Sequence, residues 1–195
     1  MNEHIINEKI TLRQKCREIR GGFGEEFIIE ASVAACELLA STSEFKTAST
    51  LLIYFPINNE ISPLPLFELA KKLGKVVAFP VCDHETGTLT FRAVSELNTL
   101  VKGKFGILEP SRSCETVSPD KDTLCIVPSL ALSRNGARLG YGKGFYDRFL
   151  CNFEGVCAGF TYSKLLFDSI PSEMHDSALN MIITESEVLC PNEQN

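Results

Sequence analysis

Two short apolar runs, each closed by a proline, flank a single helical stretch. Leu51-Leu52-Ile53-Tyr54-Phe55-Pro56 precedes residues 64 to 73, where apolar positions recur with helical spacing and Gly74 ends the pattern. Val76-Val77-Ala78-Phe79-Pro80 follows at once. Two buried strands joined by a helical crossover pair in parallel, and a parallel sheet needs cover on both faces. This unit therefore commits the chain to an α/β architecture.

The remaining segments extend that unit. Residues 3 to 20 read as a helix in which Lys9, Arg13, Arg17 and Arg20 fall in one arc beside an apolar arc of Ile5, Leu12, Cys16 and Ile19. Such a helix is expected to pack on the body and present its cations along an edge. Gly21-Gly22 breaks it, and a second helix is expected from Glu25 to Leu39. Beyond Pro80, a turn at residues 85–87 leads to an alternating stretch at 89–94 that reads as a more exposed, antiparallel strand. Residues 109–123 read as a polar connection. A strand at 124–128, a helix from about Gly144 to Cys151, and strands at 155–160 and 181–184 complete the series. The expectation is a single-domain, three-layer α/β/α sandwich over residues 1–195, its sheet mostly parallel. Ligands of such sheets bind beyond the carboxyl ends of the strands. The loops after Tyr54-Phe55-Pro56 and after Pro128 are thereby expected to face one cleft.

The charge distribution narrows the ligand. The net charge is −6, which argues against a nucleic-acid-binding surface. Yet residues 9–20 and 134–148 are both strongly basic, so the cations stand in two islands within an acidic protein. Two such islands fit a compact polyanion, whereas either alone reads as a solvated helix face. No apolar run is long enough to span a bilayer, and the amino terminus lacks the pattern of a secretory signal, so a cytoplasmic location is expected. The eight cysteines contain no CxxC pair and mostly have apolar neighbours, which reads as small core residues in a reducing compartment. His4, His84 and His175 are widely separated, so zinc is not expected.

The stretch Arg138-Leu139-Gly140-Tyr141-Gly142-Lys143-Gly144-Phe145-Tyr146-Asp147-Arg148 places glycine at alternate positions among cations. Glycine lets the backbone come close to an anion and turn its N–H groups toward it, and Arg138 and Lys143 supply countercharge. The spacing matches neither a P-loop, which needs Ser or Thr after its lysine, nor the GxGxxG dinucleotide fingerprint. A phosphate cradle of another kind and a flexible surface turn both remain open from these residues alone.

Together with that stretch, "KITLR" at 9–13, "YFPINNEI" at 54–61, "GKVVAFP" at 74–80, "FGILEP" at 105–110, "VPSLALSRNGARLGYGKGFYDRFL" at 127–150 and "PSEMHDSALNMIITE" at 171–185 resemble the 5-formyltetrahydrofolate cyclo-ligase family, also called 5,10-methenyltetrahydrofolate synthetase. The resemblance runs in order from about residue 9 to 185. It implies an ATP- and Mg²⁺-dependent ligase that converts 5-formyltetrahydrofolate to 5,10-methenyltetrahydrofolate and releases ADP and phosphate. It further implies nucleotide contacts at Lys9 and Arg13 and, around the triphosphate, at Arg138, Leu139, Gly140, Tyr141, Gly142, Lys143, Gly144, Phe145 and Tyr146. Arg138 and Lys143 are implied to stabilise the transferring phosphoryl group. Folate contacts are implied at Phe55, Glu60 and the segment from Tyr141 to Phe145, and a Mg²⁺ ligand at Asp147.

The chain departs from the family pattern in three places. Ser133 ends an Ala-Leu-Ser where Ala-Phe-Asp is usual, Phe145 replaces a tyrosine, and Asn180 stands where an aspartate, a second metal carboxylate, is often found. Two other readings follow if those departures matter: a nonenzymatic nucleotide- or folate-binding regulator, or a sugar-phosphate or acyl-group enzyme on a similar fold.

Overall fold

The computed structural model describes residues 3–103, 106–172 and 177–191. Helix α1 (Glu3–Gly21) is followed by α2 (Glu25–Ser41), which buries Ala31, Ala35, Cys36 and Leu39. A short helix that the sequence reading did not anticipate, α3 (Ser43–Thr47), begins where the Thr42 hydroxyl accepts the N–H of Phe45, and it pins the Phe45 ring in the core. Strand β1 (Thr50–Leu52) leads through α4 (Pro65–Lys72) to β2 (Val76–Cys82). Proline opens α4 and Gly74, with φ of 75°, closes the turn after it.

Strand β1 is shorter than the expected run to Pro56. Ile53 still donates to the carbonyl of Ala78, but the chain then turns away, and the Tyr54 hydroxyl donates to the carbonyl of Ile61 at 2.6 Å. Asn58 and Asn59 take left-handed backbone conformations at this turn, a region that asparagine tolerates better than most residues. Strand β2 runs longer than expected because β3 (Leu89–Ala93) pairs with it antiparallel as far as Cys82. Strands β4 (Val101–Lys102) and β5 (Leu108–Glu109) form a separate ribbon. Within the expected polar connection, β6 (Thr116–Val117) pairs with β3.

Strand β7 (Thr123–Pro128) is followed by β8 (Ala131–Ser133), β9 (Arg138–Leu139), α5 (Phe145–Leu150), β10 (Val156–Phe160), β11 (Leu166–Phe167), β12 (Met181–Ile183) and β13 (Val188–Leu189). The main sheet has the order β13-β12-β10-β7-β1-β2-β3-β6. Its interior pairings from β12 to β2 are parallel and its outer ones antiparallel. Alternate residues divide the core in two. Leu51, Ile53, Val77, Leu124 and Ile126 pack with the α1, α2 and α4 side, whereas Leu52, Ala78, Cys125 and Val127 pack with α5 on the other. The mostly parallel sheet with helical cover on both faces matches the expectation.

The connection from β1 runs to β2 on one side, and that from β7 runs to β10 on the other. The topology therefore reverses between the paired strands β1 and β7. Loops leaving two such strands diverge and open a crevice at their carboxyl ends. Strands β8, β9 and β11 form a small second sheet, unanticipated from the sequence, that carries the chain from β7 to the glycine stretch.

The cations of α1 contradict the expected exposed row. Lys9 and Arg20 are 7% and 2% exposed, Arg13 is partly buried, and Arg17 alone of the four is solvated. Lys9, Arg13, Cys16 and Arg20 recur on one helical face, so that three of the helix's cations lie on the face that packs. Among the described residues no helix is long and apolar enough to cross a membrane. Cys16, Cys36, Cys125 and Cys157 are buried thiols, whereas Cys151 is exposed and departs from the expected core role.

Candidate functional site

The crevice is a cavity of about 360 Å³. One wall comes from the loop after β1, with Phe55, Ile57 and Glu60; the other is the turn from β9 into α5, running from Gly140 to Asp147. Tyr54 and Pro128, at the ends of the two central strands, also line it. The two loops expected to face one cleft do so. The sequence reading missed the third wall: Cys82 at the end of β2, His84 just beyond it, and Ile107, Leu108 and Glu109 at the ribbon. Two-residue strands leave no periodic signal, and nothing local in these residues marks them as cavity lining.

In the glycine stretch, Gly142 and Gly144 have φ of 90° and 67°, conformations that cost other L-residues strain. Gly140 serves a different purpose. A Cβ there would lie 2.5 Å from Nη1 of Arg138, so the absent side chain makes room for the guanidinium. Arg13 reaches the stretch from α1, donating its Nε–H to the carbonyl of Gly140 at 2.9 Å. Lys9 lies buried two turns before Cys16 on the same helix. Neither Lys9 nor Arg13 lines the cavity itself, whereas Lys143 does.

Arg138 is only 9% exposed. Its Nη2 donates to Oδ1 of Asp147, its Nη1 to the carbonyl of Pro128 at 3.4 Å, and its guanidinium stands 5.9 Å from the ring centre of Tyr146. The cation and the proposed metal acid are therefore partners within the cleft. Phe145 meets the His84 ring edge-on at 5.2 Å, and the guanidinium of Arg148 covers Phe145 at 5.4 Å. Arg148 further ties the loop together by donating to the carbonyls of Gly87 and Lys143.

Glu60 is 4% exposed. Its Oε2 accepts the N–H of Ile57 at 2.9 Å and its Oε1 accepts the hydroxyl of Tyr141. Burial pushes its carboxyl above the ordinary value, against the Tyr141 hydroxyl, the Ile57 N–H and the Arg20 charge, which pull it down. Burial likewise raises Tyr141, whose proton therefore stays on the hydroxyl.

Of the three residues where the chain departs from the family pattern, Phe145 lines the cavity, whereas Ser133 and Asn180 lie in ordinary structural roles. Ser133 is fully buried and donates to Asn135 Oδ1. Asn180 Oδ1 accepts the backbone N–H of Cys157 at 2.8 Å and the thiol of the same residue at 3.0 Å, which fastens β10 to the strand beside it. It does not line the cavity. His175 lies outside the described residues, and among those described no group of three His, Cys, Asp or Glu side chains is placed to hold a metal ion.

The model of the 5-formyltetrahydrofolate cyclo-ligase family matches residues 5–185. The chain belongs to this family. It is thereby an enzyme of the ligase type that the family comprises. The 5-formyltetrahydrofolate cyclo-ligase of Mycolicibacterium smegmatis is 32% identical over 69% of this chain and 73% of its own length. That of Escherichia coli K12 is 31% identical over 72% and 80%. The solution structure of 5,10-methenyltetrahydrofolate synthetase from Aquifex aeolicus superposes with a TM-score of 0.84 at 32% identity, covering 96% of this chain and 94% of that one. A synthetase structure from Mycoplasma pneumoniae, at 21% identity and a TM-score of 0.74, shares the fold.

Proposed function

We propose that this chain, as a single cyclo-ligase domain working in the cytoplasm, converts 5-formyltetrahydrofolate to 5,10-methenyltetrahydrofolate at the expense of magnesium ATP. The observation that carries this reading is the meeting of two different walls in one cavity: a buried carboxylate with apolar neighbours faces a glycine turn carrying Arg138 and Lys143.

A formamide oxygen is a poor leaving group. It attacks the γ-phosphorus of ATP, ADP departs, and the formyl carbon then carries a phosphate in place of a carbonyl. N10 adds to that carbon, the C–O bond breaks to release phosphate, and N10 gives up its proton as the ring closes. Phosphoryl transfer of this kind is chiefly positioning and charge stabilisation. Glu60 accepts N–H groups of the pterin, and Phe55 and Phe145 supply apolar faces. Backbone donors of residues 140–144, with Lys9 and Arg13 from α1, hold the phosphates, and Arg138 and Lys143 face the charge that develops on transfer.

Mg²⁺ takes one or two protein carboxylates and completes its shell with phosphate oxygens and water. Asp147 lines the cleft with one carboxylate oxygen engaged by Arg138, a donor set that fits a metal arriving with the nucleotide and not a closed protein cage. Asp147 would hold the ion, which neutralises phosphate charge when bound.

The purified chain, incubated with 5-formyltetrahydrofolate, should produce the methenyl absorption band only when ATP and Mg²⁺ are both present. Binding of both ligands by calorimetry without product would instead support the regulator, and turnover of a sugar phosphate without ATP would support the other enzyme class.

A further inference from the structure

The last turn of α1 buries a guanidinium that serves no exposed helix face. Arg20 donates from Nη2 to the hydroxyl oxygen of Tyr141 at 2.6 Å, and that hydroxyl donates its own proton to Oε1 of Glu60. Nη1 lies 3.9 Å from the same carboxylate oxygen and 3.4 Å from the carbonyl of Ser129, the residue after β7. Asn59 donates to the backbone carbonyl of Arg20 at 3.2 Å, and Tyr162 donates to the carbonyl of Asn59 at 2.9 Å. The loop that carries Glu60 is thus tied to the turn that carries Arg20. Helix α1 grips the glycine stretch at successive residues, Arg13 at Gly140 and Arg20 at Tyr141.

We infer that Arg20 is a positioning residue which, through the Tyr141 hydroxyl, holds the Glu60 side chain aimed as an acceptor for the N–H groups of the substrate. This rests on the reading of Glu60 as the folate-binding carboxylate. The direction of the chain of hydrogen bonds supports it. A guanidinium can only donate, so the Tyr141 oxygen receives from Arg20 and its single proton is left to point at Glu60. Burial disfavours the charge of the carboxylate, and the Tyr141 hydroxyl, the Ile57 N–H and the positive charge of Arg20 offset it in part. Across the cavity Arg138 is engaged by Asp147, and Lys143, Glu109 and His84 line the opposite walls. Without Arg20 the phenol is free to rotate and the carboxylate takes up a proton more readily, which turns an acceptor into a group that can also donate.

The experiment is steady-state kinetics of Arg20→Met, Arg20→Lys, Tyr141→Phe and Glu60→Gln over about pH 6 to 9. Arg20→Met should raise the KM for 5-formyltetrahydrofolate ~10-fold or more near neutrality, the scale of a hydrogen bond to a charged group. The loss should grow as pH falls and shrink as pH rises, with the KM for ATP within about 2-fold of the parent. Arg20→Lys should recover part of the loss, and Arg20→Met should add little in a Glu60→Gln background. Tyr141→Phe keeps the ring while removing the relay, so it carries the test if Arg20→Met does not fold; it should show the same pH shape. A loss that is independent of pH and equal for both substrates, or a flat profile in Tyr141→Phe, would overturn the inference. An unchanged folate KM in Glu60→Gln would instead remove the folate reading on which it stands.

Discussion

Arg138 and Asp147, nine residues apart, meet as a partly buried ion pair inside the cleft, Nη2 of the arginine donating to Oδ1 of the acid. Neither side chain can be altered without releasing the other. The arginine is held on a second side by the carbonyl of Pro128, so it stands in a fixed position before any phosphate arrives. Preorganisation of this kind lets a cation stabilise developing charge without reorganising during the reaction.

Arg138→Ala should therefore lower kcat ~10²-fold or more, as removal of a preorganised donor does elsewhere. Arg138→Lys should recover little of it, because an ammonium on a flexible stem does not reproduce the planar fork that contacts Asp147 and Pro128 together. Single-turnover rates alongside thermal melts separate the chemical loss from any loss of fold.

Asp147→Asn should raise the magnesium concentration required for half-maximal activity several-fold, since a neutral amide is a poorer ligand for a hard cation. Asn180→Asp should leave that requirement unchanged, because its oxygen is occupied by the Cys157 N–H and the residue does not line the cavity. Magnesium titrations at saturating ATP and folate decide both; an altered dependence only in Asn180→Asp would exchange their roles.

The parallel unit at 51–80 was legible because its apolar runs and breakers are local signals, and those signals survive into β1, α4 and β2. The cleft followed from the order of elements, since the reversal between β1 and β7 opens it. The glycine stretch was legible only as a phosphate cradle or a surface turn, and the family resemblance is what favours the cradle. What stayed hidden was long-range. Arg20 shares a helical arc with Arg17, yet one is buried and the other exposed, and only the position of Glu60 and Tyr141, distant in sequence, decides between them. The ribbon at Val101–Lys102 and Leu108–Glu109, which closes the third wall, is likewise a tertiary feature with too few residues to show a period.

Gly140→Ala tests whether the cradle depends on the space left for Arg138. The added Cβ would stand 2.5 Å from Nη1, and the atom it meets is the far end of a side chain that can swing into the open cleft. Gly140 is not among the glycines with positive φ, so alanine fits its backbone. Stability should change by ~1 kcal/mol or less, while kcat falls ~10-fold or more because the guanidinium is displaced from its target. A variant that melts much earlier, with normal activity below its transition, would show that the space matters to folding alone.

Glu60 also has a cost that should appear in the pH dependence of stability. Burial raises its carboxyl above the ordinary value, an effect only partly offset by Tyr141, Ile57 and Arg20. A raised native pKa means that the folded state binds the proton more tightly than the unfolded chain. The corresponding stability is fully present below the ordinary carboxylate pKa of about 4.3 and is lost as pH rises through the native value. Glutamine keeps the shape and never ionises, so Glu60→Gln escapes that loss. Its melting temperature relative to the parent should therefore climb as pH increases from about 4 toward 8, with each 1 kcal/mol worth about 2–4 °C in a chain of this size. Folate binding should weaken in the same variant while ATP binding holds, since an unsatisfied pterin N–H costs ~1–3 kcal/mol. Melts across that pH range, with calorimetry of each ligand, check both halves. A difference in melting temperature that is constant with pH would mean that Glu60 holds the same proton affinity in the folded and unfolded states, and that its burial is fully compensated by Arg20 and Tyr141.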